Sequence, residues 1–185
     1  NLCVYADDTL GIIAAKTPQE LEKKVEDFVS YIRYRLPHQK LTLNIGKTEI
    51  IVNNTLPRRA LAENHTPHSF TIANTTIHPT YSLKYLGIWL DKNLTFKEHF
   101  TYLQRRSNKR IRMLGTIARN TYGYGFAARK TMFQGFIYSL WKYCNSVFYY
   151  RLQVLSNAAI VHRMQRQCNI IASRAYRDIT PEAAC

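Results

Sequence analysis

Acidic residues are scarce in this chain of 185 residues: 12 Asp and Glu stand against 26 Lys and Arg, which gives a net charge of +14 and a pI near 9.8. An excess of that size favours a polyanionic partner, nucleic acid first and an anionic membrane surface second. Long hydrophobic runs are lacking too, and no apolar stretch approaches the length of a membrane span. Cysteine is sparse, at positions 3, 144, 168 and 185. No two cysteines share the short spacing of a zinc site, and His162 is not spaced with them as a ligand set. Cys3 falls in an apolar strand and Cys144 in an aromatic helix, so both are expected to be buried free thiols in a reducing compartment. The chain shows no internal repeat and no low-complexity segment, and residues 1–15 are expected to be a strand with two aspartates and not a secretory leader. It opens in mid-strand, without a cap or an initiator Met, and so reads as a piece of a longer protein. Hydrophobic residues make up 46%, enough for a packed core.

Near the first residue, Leu2-Cys3-Val4-Tyr5 and Leu10-Gly11-Ile12-Ile13-Ala14 flank the step Ala6-Asp7-Asp8. Two short apolar runs joined by a polar step predict a β-hairpin with Asp7 and Asp8 at the bend. Adjacent carboxylates repel, and a hard divalent cation with oxygen ligands relieves the repulsion. Asp-Asp is also common in solvated turns, so the pair alone leaves both readings open.

Thr17-Pro18-Gln19-Glu20 predicts a helix start, and Leu21, Val25, Phe28 and Ile32 form one apolar stripe over a helix of about 17–36. Strands are expected over Leu41–Ile45 and Thr48–Asn53, with Gly46 and Lys47 at the break between them. Residues 54–68, with His65 and His68, read as an exposed loop. A hairpin is expected from Phe70–Ile72 and Thr76–His78 around Asn74. Ser82–Leu90 is the longest strand candidate, with Gly87 in its middle and Asp91 at its end.

From Leu94 onward the pattern becomes helical. Phe96, Phe100, Leu103, Ile111, Leu114 and Ala118 share one face. Arg105, Lys109 and Arg112 share the other, flanked by Arg106 and Arg110, with no acid across 101–112. A solvated helix face usually mixes Glu with Lys; a stripe of one sign resembles a surface that tracks phosphates. Tyr122–Gly125 reads as a linker, followed by helices of about 126–150 and 157–174. The aromatics of the first are expected to be core packing, because they alternate with aliphatics. Arg163, Arg166 and Arg174 continue the basic theme. The fold class is therefore α+β: an antiparallel sheet with a packed helix over 1–93, then an all-α basic unit over 94–174.

Three motifs in order resemble a reverse transcriptase. Tyr5-Ala6-Asp7-Asp8 is similar to the Y-x-D-D catalytic hairpin, Leu43-Asn44-Ile45-Gly46-Lys47-Thr48-Glu49 to the next palm motif, and Tyr85-Leu86-Gly87-Ile88-Trp89-Leu90-Asp91 to the primer grip. The tail from Met164 to Ala184 is similar to the segment after the thumb in arthropod-type non-LTR retrotransposon polymerases. The resemblance covers nearly the whole chain, as the C-terminal part of a palm followed by a thumb. It implies an RNA-directed DNA polymerase with Mg²⁺ (or Mn²⁺) on Asp7 and Asp8, taking an RNA template, a DNA primer and dNTP. Tyr5 and Ala6 would shape the primer and nucleotide site, with Leu86 and Gly87 against the primer backbone. Lys47 would sit near the triphosphate, or else be a solvated turn lysine. Arg105, Arg106, Lys109 and Arg112 would contact the nucleic-acid backbone.

The resemblance also implies a parent polyprotein supplying fingers and the first catalytic aspartate, both upstream of this hairpin in the family. The chain alone is accordingly expected to be inactive. No membrane association is implied, and the place of work would be intracellular, nuclear with a cytoplasmic ribonucleoprotein stage. A rival of another class is a non-catalytic, basic nucleic-acid-binding remnant of a retroelement.

Overall fold

The computed structural model describes residues 1–53, 69–72, 75–117 and 124–173. The loop expected over 54–68 with His65 and His68, the turn at Asn74, Ala118, Tyr122 and Gly123 of the expected linker, and the tail from Arg174 onward lie outside the described residues. The architecture is α+β. Strands β1 (Leu2–Tyr5) and β2 (Asp8–Gly11) pair antiparallel, as do β3 (Phe70–Ile72) and β4 (Thr75–Ile77). A third two-stranded sheet joins β5 (Ser82–Tyr85) to β6 (Ile88–Asp91).

Helix α1 (Pro18–Arg35) starts where its sequence predicts. Thr17 Oγ1 accepts from the Glu20 N–H at 3.2 Å, and Glu20 reaches back to the Lys16 N–H at 2.9 Å. This is a capping box displaced by one residue at its return bond. The Lys24 ammonium, 2.8 Å away, and the Lys16 amide hold the Glu20 carboxyl below the usual carboxylate range. Val25 and Ile32 are buried, and Val25 packs with Phe70 and Ile72 of β3, joined by Ile50, Val52 and Ile77.

Several expectations need correction. Leu41–Ile45 and Thr48–Asn53 are not strands. Leu41, Leu43 and Ile45 still alternate with the more exposed Thr42 and Asn44, but neither segment pairs in a ladder among the described residues. β-propensity expresses fit to a half-buried surface, and a strand exists only where a partner meets its N–H and C=O groups. Instead, residues Ile45–Lys47 form a single 3₁₀ turn.

Ser82–Leu90 is not one strand but a hairpin: Leu86 (φ 45°) and Gly87 (φ 85°) turn the chain. Two consecutive positive φ values are the signature of a type I′ turn, which accounts for the glycine without any close-approaching ligand.

The helix expected over 126–150 is broken. It comprises α3 (Phe126–Phe133), a π-helical stretch (Gln134–Tyr138), α4 (Ser139–Lys142), α5 (Asn145–Phe148) and a 3₁₀ turn (Tyr149–Gln153). Cys144 at φ 50° makes the corner between α4 and α5. Its aromatics are only partly core: Phe133, Trp141 and Phe148 are buried, whereas Phe136, Tyr138, Tyr143, Tyr149 and Tyr150 are exposed. Cys3 is exposed rather than buried, while Cys144 and Cys168 are half-buried. Burial pushes the Cys168 thiol up to about 11.

The chain divides into two compact units, 1–87 with 91–93, and 88–90 with 94–185. In the second, α2 (Lys97–Ile117) packs against α6 (Leu155–Ser173) and the π-helical stretch. Phe96, Phe100, Leu103, Ile111 and Leu114 point inward, as their spacing predicts, and meet Trp141, Phe148 and Met164. Full burial of Phe100, Leu103 and Phe148 contributes about 1.5–3 kcal/mol for each side chain. Ser107 lies on the same inward stripe, where its hydroxyl accepts from Trp141 Nε1 at 2.7 Å. The approach to α2 is bent by positive φ at Leu94 and Phe96, and Arg151 Nε donates to the Leu94 carbonyl at 3.0 Å.

Candidate metal hairpin and basic face

The hairpin register is Leu2↔Gly11, Cys3↔Leu10, Val4↔Thr9 and Tyr5↔Asp8, which leaves Ala6 and Asp7 as a two-residue turn. The ladder continues past β2 with Ile12 N–H donating to the Asn1 carbonyl at 2.8 Å. Ala6 has φ 52° while Asp7 stays on the negative side, the sign pattern of a type II′ turn. Glycine is preferred at the first position of such a turn. An alanine there costs about 1–2 kcal/mol of backbone strain, and the costly residue sits beside the two carboxylates.

Side chains alternate across a strand pair, so Tyr5 and Asp8 share one face with Cys3 and Leu10. Gly11 belongs to the opposite face. There the Phe28 ring of α1 fills the place that a Cβ on Gly11 would take. Helix α1 therefore meets the hairpin at Gly11, at the end away from the turn, while Val4 and Thr9 on the same face stay exposed.

Tyr5, Ala6, Asp7 and Asp8 are all exposed, and neither aspartate forms an ion pair among the described residues. Two neighbouring, uncompensated carboxylates offer hard oxygen ligands to a divalent cation. No third His, Cys, Asp or Glu joins them in a cluster among the described residues. Carboxylate oxygens are the kind of ligand a hard divalent cation takes, and these two residues would fill only part of its coordination shell.

The other candidate residues stand on separate elements. Lys47 is exposed at the end of the 3₁₀ turn, which the Thr48 hydroxyl closes onto the Asn44 carbonyl at 3.1 Å. No hydrogen bond or ion pair among the described residues links Lys47 to Asp7 or Asp8. Leu86 and Gly87 are half-buried in the β5–β6 turn.

On α2, Arg105, Lys109 and Arg112 are exposed along one side of the helix, and none pairs with a carboxylate of the described residues. Arg106 is exposed but engaged: it donates to the Tyr102 hydroxyl at 2.6 Å, and its guanidinium lies over that ring. Arg110 donates to the Phe136 carbonyl.

Two features escape the motif-based reading. The first is a signal present in the sequence: no Asp or Glu stands between Glu98 and Asp178. The one-sign face of α2 thus belongs to a unit with almost no acid at all. The second is His99, only 1% exposed, whose Nδ1 accepts from the Trp89 N–H at 3.5 Å. Burial pulls its imidazole down to about 4, so it is neutral near pH 7. A histidine two positions into a basic helix carries no local sign of such burial. Among the described residues, no helix is long and apolar enough to cross a membrane.

No protein-family profile matches the chain, and no solved structure matches it. Among curated proteins, it is 24% identical over 195 aligned residues to the retrovirus-related Pol polyprotein from type-1 retrotransposable element R1 4 of Nasonia vitripennis, a match covering 98% of this chain and 48% of that protein. It is 23% identical to the corresponding R1 polyprotein of Bradysia coprophila, over 98% of this chain and 18% of that protein. A further relative is the probable RNA-directed DNA polymerase from transposon BS of Drosophila melanogaster, 24% identical over 86% of this chain and 18% of that protein. The chain spans about half or less of the length of these relatives.

Proposed function

We propose that this chain, whose homologues are the Pol proteins and RNA-directed DNA polymerases of non-LTR retrotransposons, is the metal-hairpin and nucleic-acid-holding part of such a polymerase. The observation that carries the reading is the hairpin. Asp7 and Asp8 stand together, exposed and uncompensated, one in a strained two-residue turn and the other at the start of β2. Like charges kept adjacent without a protein cation call for a metal.

Asp7 and Asp8 would hold Mg²⁺, or Mn²⁺, with Asp7 the more direct ligand; when bound, the ion supplies Lewis-acid activation of a primer 3′-hydroxyl and charge neutralisation at pyrophosphate. Tyr5 shares the Asp8 face and would bound the nucleotide and primer site there. Ala6 keeps the turn small where a primer end would approach. Lys47 would neutralise the triphosphate and donate a proton to the leaving pyrophosphate. Leu86 and Gly87 would place a backbone turn against the primer. Arg105, Arg106, Lys109 and Arg112 would hold the template–primer backbone without reading its sequence.

The substrates are an RNA template, a DNA primer and dNTP, and the place of work is intracellular, nuclear with a cytoplasmic ribonucleoprotein stage. Residues 1–93 would act as palm, 94–174 as thumb and 175–185 as the start of a linker. Two carboxylates are too few to hold two metal ions, so the 185 residues by themselves do not polymerise; the remaining ligand and the fingers come from the parent polyprotein.

The test is primer extension on an RNA template with dNTP and Mg²⁺, with the chain alone and with the chain expressed in frame behind its own upstream coding sequence. Extension is expected only from the longer protein and is abolished by Asp7→Asn or Asp8→Asn. Extension that survives both substitutions, or a longer protein that binds primed template but never extends it, overturns the enzymatic reading. The second outcome leaves the rival, a non-catalytic binding remnant, which the basic surface of the second unit favours equally.

A further inference from the structure

We propose that the exposed tyrosines of residues 138–151 form a stacking surface for single-stranded RNA, distinct from the α2 face assigned to duplex backbone. The inference rests on the reading that this chain handles nucleic acid. It adds a second surface and a second state of the ligand.

The segment is aromatic on two sides. Trp141 and Phe148 serve the core, whereas Tyr138, Tyr143, Tyr149 and Tyr150 are 56%, 52%, 65% and 47% exposed. Four rings this open fall within one short stretch of chain, and exposed aromatic surface gathered in this way marks an interaction site. Cations sit among the rings. Lys142 Nζ lies 4.8 Å from the Tyr138 ring centroid, and the Arg151 guanidinium carbon lies 5.0 Å from that of Tyr150. Tyr150 is further fixed by an edge contact with Phe96 and by its hydroxyl donating to the Leu94 carbonyl at 3.4 Å. Its ring is therefore set in place before any ligand arrives.

Charge decides which partner fits. An apolar protein surface laid over these rings would strip water from Lys142 and Arg151. No Asp or Glu occurs from His99 to Arg177 to compensate them. A polyanion supplies that compensation. A duplex hides the faces of its bases and has no use for open rings. A single strand presents both bases for stacking and phosphates for the interleaved cations, the combination on which sequence-tolerant single-strand binding is built. Phenol hydroxyls, together with the exposed Asn145 amide, can bond a ribose 2′-hydroxyl, which favours RNA over DNA.

The test uses the full chain and fluorescence anisotropy with a labelled, unstructured RNA of about twelve nucleotides, the same sequence as DNA, and an RNA–DNA hybrid of equal length. Tyr138→Ala and Tyr149→Ala are each expected to weaken single-stranded RNA binding about tenfold and to leave hybrid binding unchanged, and Tyr149→Trp to restore it. Both positions are open enough that truncation does not disturb the core. Wild-type RNA affinity in both alanine variants overturns the inference, and equal affinity for the DNA strand overturns the choice of RNA. If those variants bind RNA normally while Lys109→Glu with Arg112→Glu loses the hybrid, the tyrosine surface alone fails. If the wild type binds neither ligand, the functional reading fails with it. Loss of binding to phosphatidylserine vesicles in the tyrosine variants, with RNA binding untouched, assigns the face to a membrane and overturns the inference.

Discussion

The ring of Phe28 occupies the space in which a side chain at Gly11 would begin. This single approach seats the carboxylate hairpin on α1, since Gly11 lies on the hairpin face opposite Tyr5 and Asp8. A side chain at position 11 must displace the ring or lift the hairpin. Gly11→Val is expected to destabilise the first unit by about 1–3 kcal/mol, the usual cost of overpacking, and to speed amide exchange across residues 2–11. Gly11→Ala should do less, because the ring is half-buried and can swing. Unaltered exchange in Gly11→Val would mean that the contact does not hold the hairpin.

Ser107 and Trp141 make a second buried dependency. The indole N–H has its acceptor in a hydroxyl set among apolar side chains, at 2.7 Å. Ser107→Ala strands that donor in the core and should cost about 1–3 kcal/mol. Trp141→Phe added to Ser107→Ala removes the stranded donor, so the pair should show a non-additive energy in a double-mutant cycle. Urea unfolding midpoints of the four proteins provide the measurement; strict additivity would show that the bond contributes nothing.

His99 should impart a pH dependence to the second unit. Its imidazole is pulled from 6.5 to about 4 by burial, so the unfolded chain binds the proton more readily. Stability is full above about 6.5, falls as pH drops from 6.5 toward 4, and levels off below 4. The loss over that window is up to about 3 kcal/mol. His99→Gln keeps an acceptor for the Trp89 N–H but removes the titration, and should flatten the slope of unfolding free energy between pH 4 and 6.5. A slope identical to wild type assigns the effect to other groups.

The α2 face should reveal itself through salt. Lys109→Glu with Arg112→Glu is expected to weaken binding to an RNA–DNA hybrid. The slope of log affinity against log salt should fall by about two, close to one for each lost phosphate contact. Fluorescence titrations between low and physiological salt measure both quantities. An unchanged slope would show that these side chains meet no phosphate.

The sequence by itself determined the elements whose signals are local. Thr17, Pro18 and Glu20 start α1 because capping and proline geometry act within one turn. The stripe from Phe96 to Leu114 finds the core because a 3.6-residue period needs no knowledge of the partner. The hairpin itself follows from the apolar runs on either side of it, but its bend falls at Ala6-Asp7 and not at the expected Asp7-Asp8, since Asp8 begins β2. Tertiary structure decided what depends on a neighbour. Leu41–Ile45 and Thr48–Asn53 have the composition of strands but no ladder among the described residues, and composition supplies no hydrogen-bond partner. Ser82–Leu90 became a hairpin because Leu86 and Gly87 turn where the apolar pattern runs on unbroken. The aromatics from Phe133 to Tyr150 were sorted into core and surface by the π-helical stretch and the Cys144 corner, which shift the phase of the helix and move the tyrosines outward. His99 was buried by the side chains folded around it, and nothing in its own stretch of chain signals that environment.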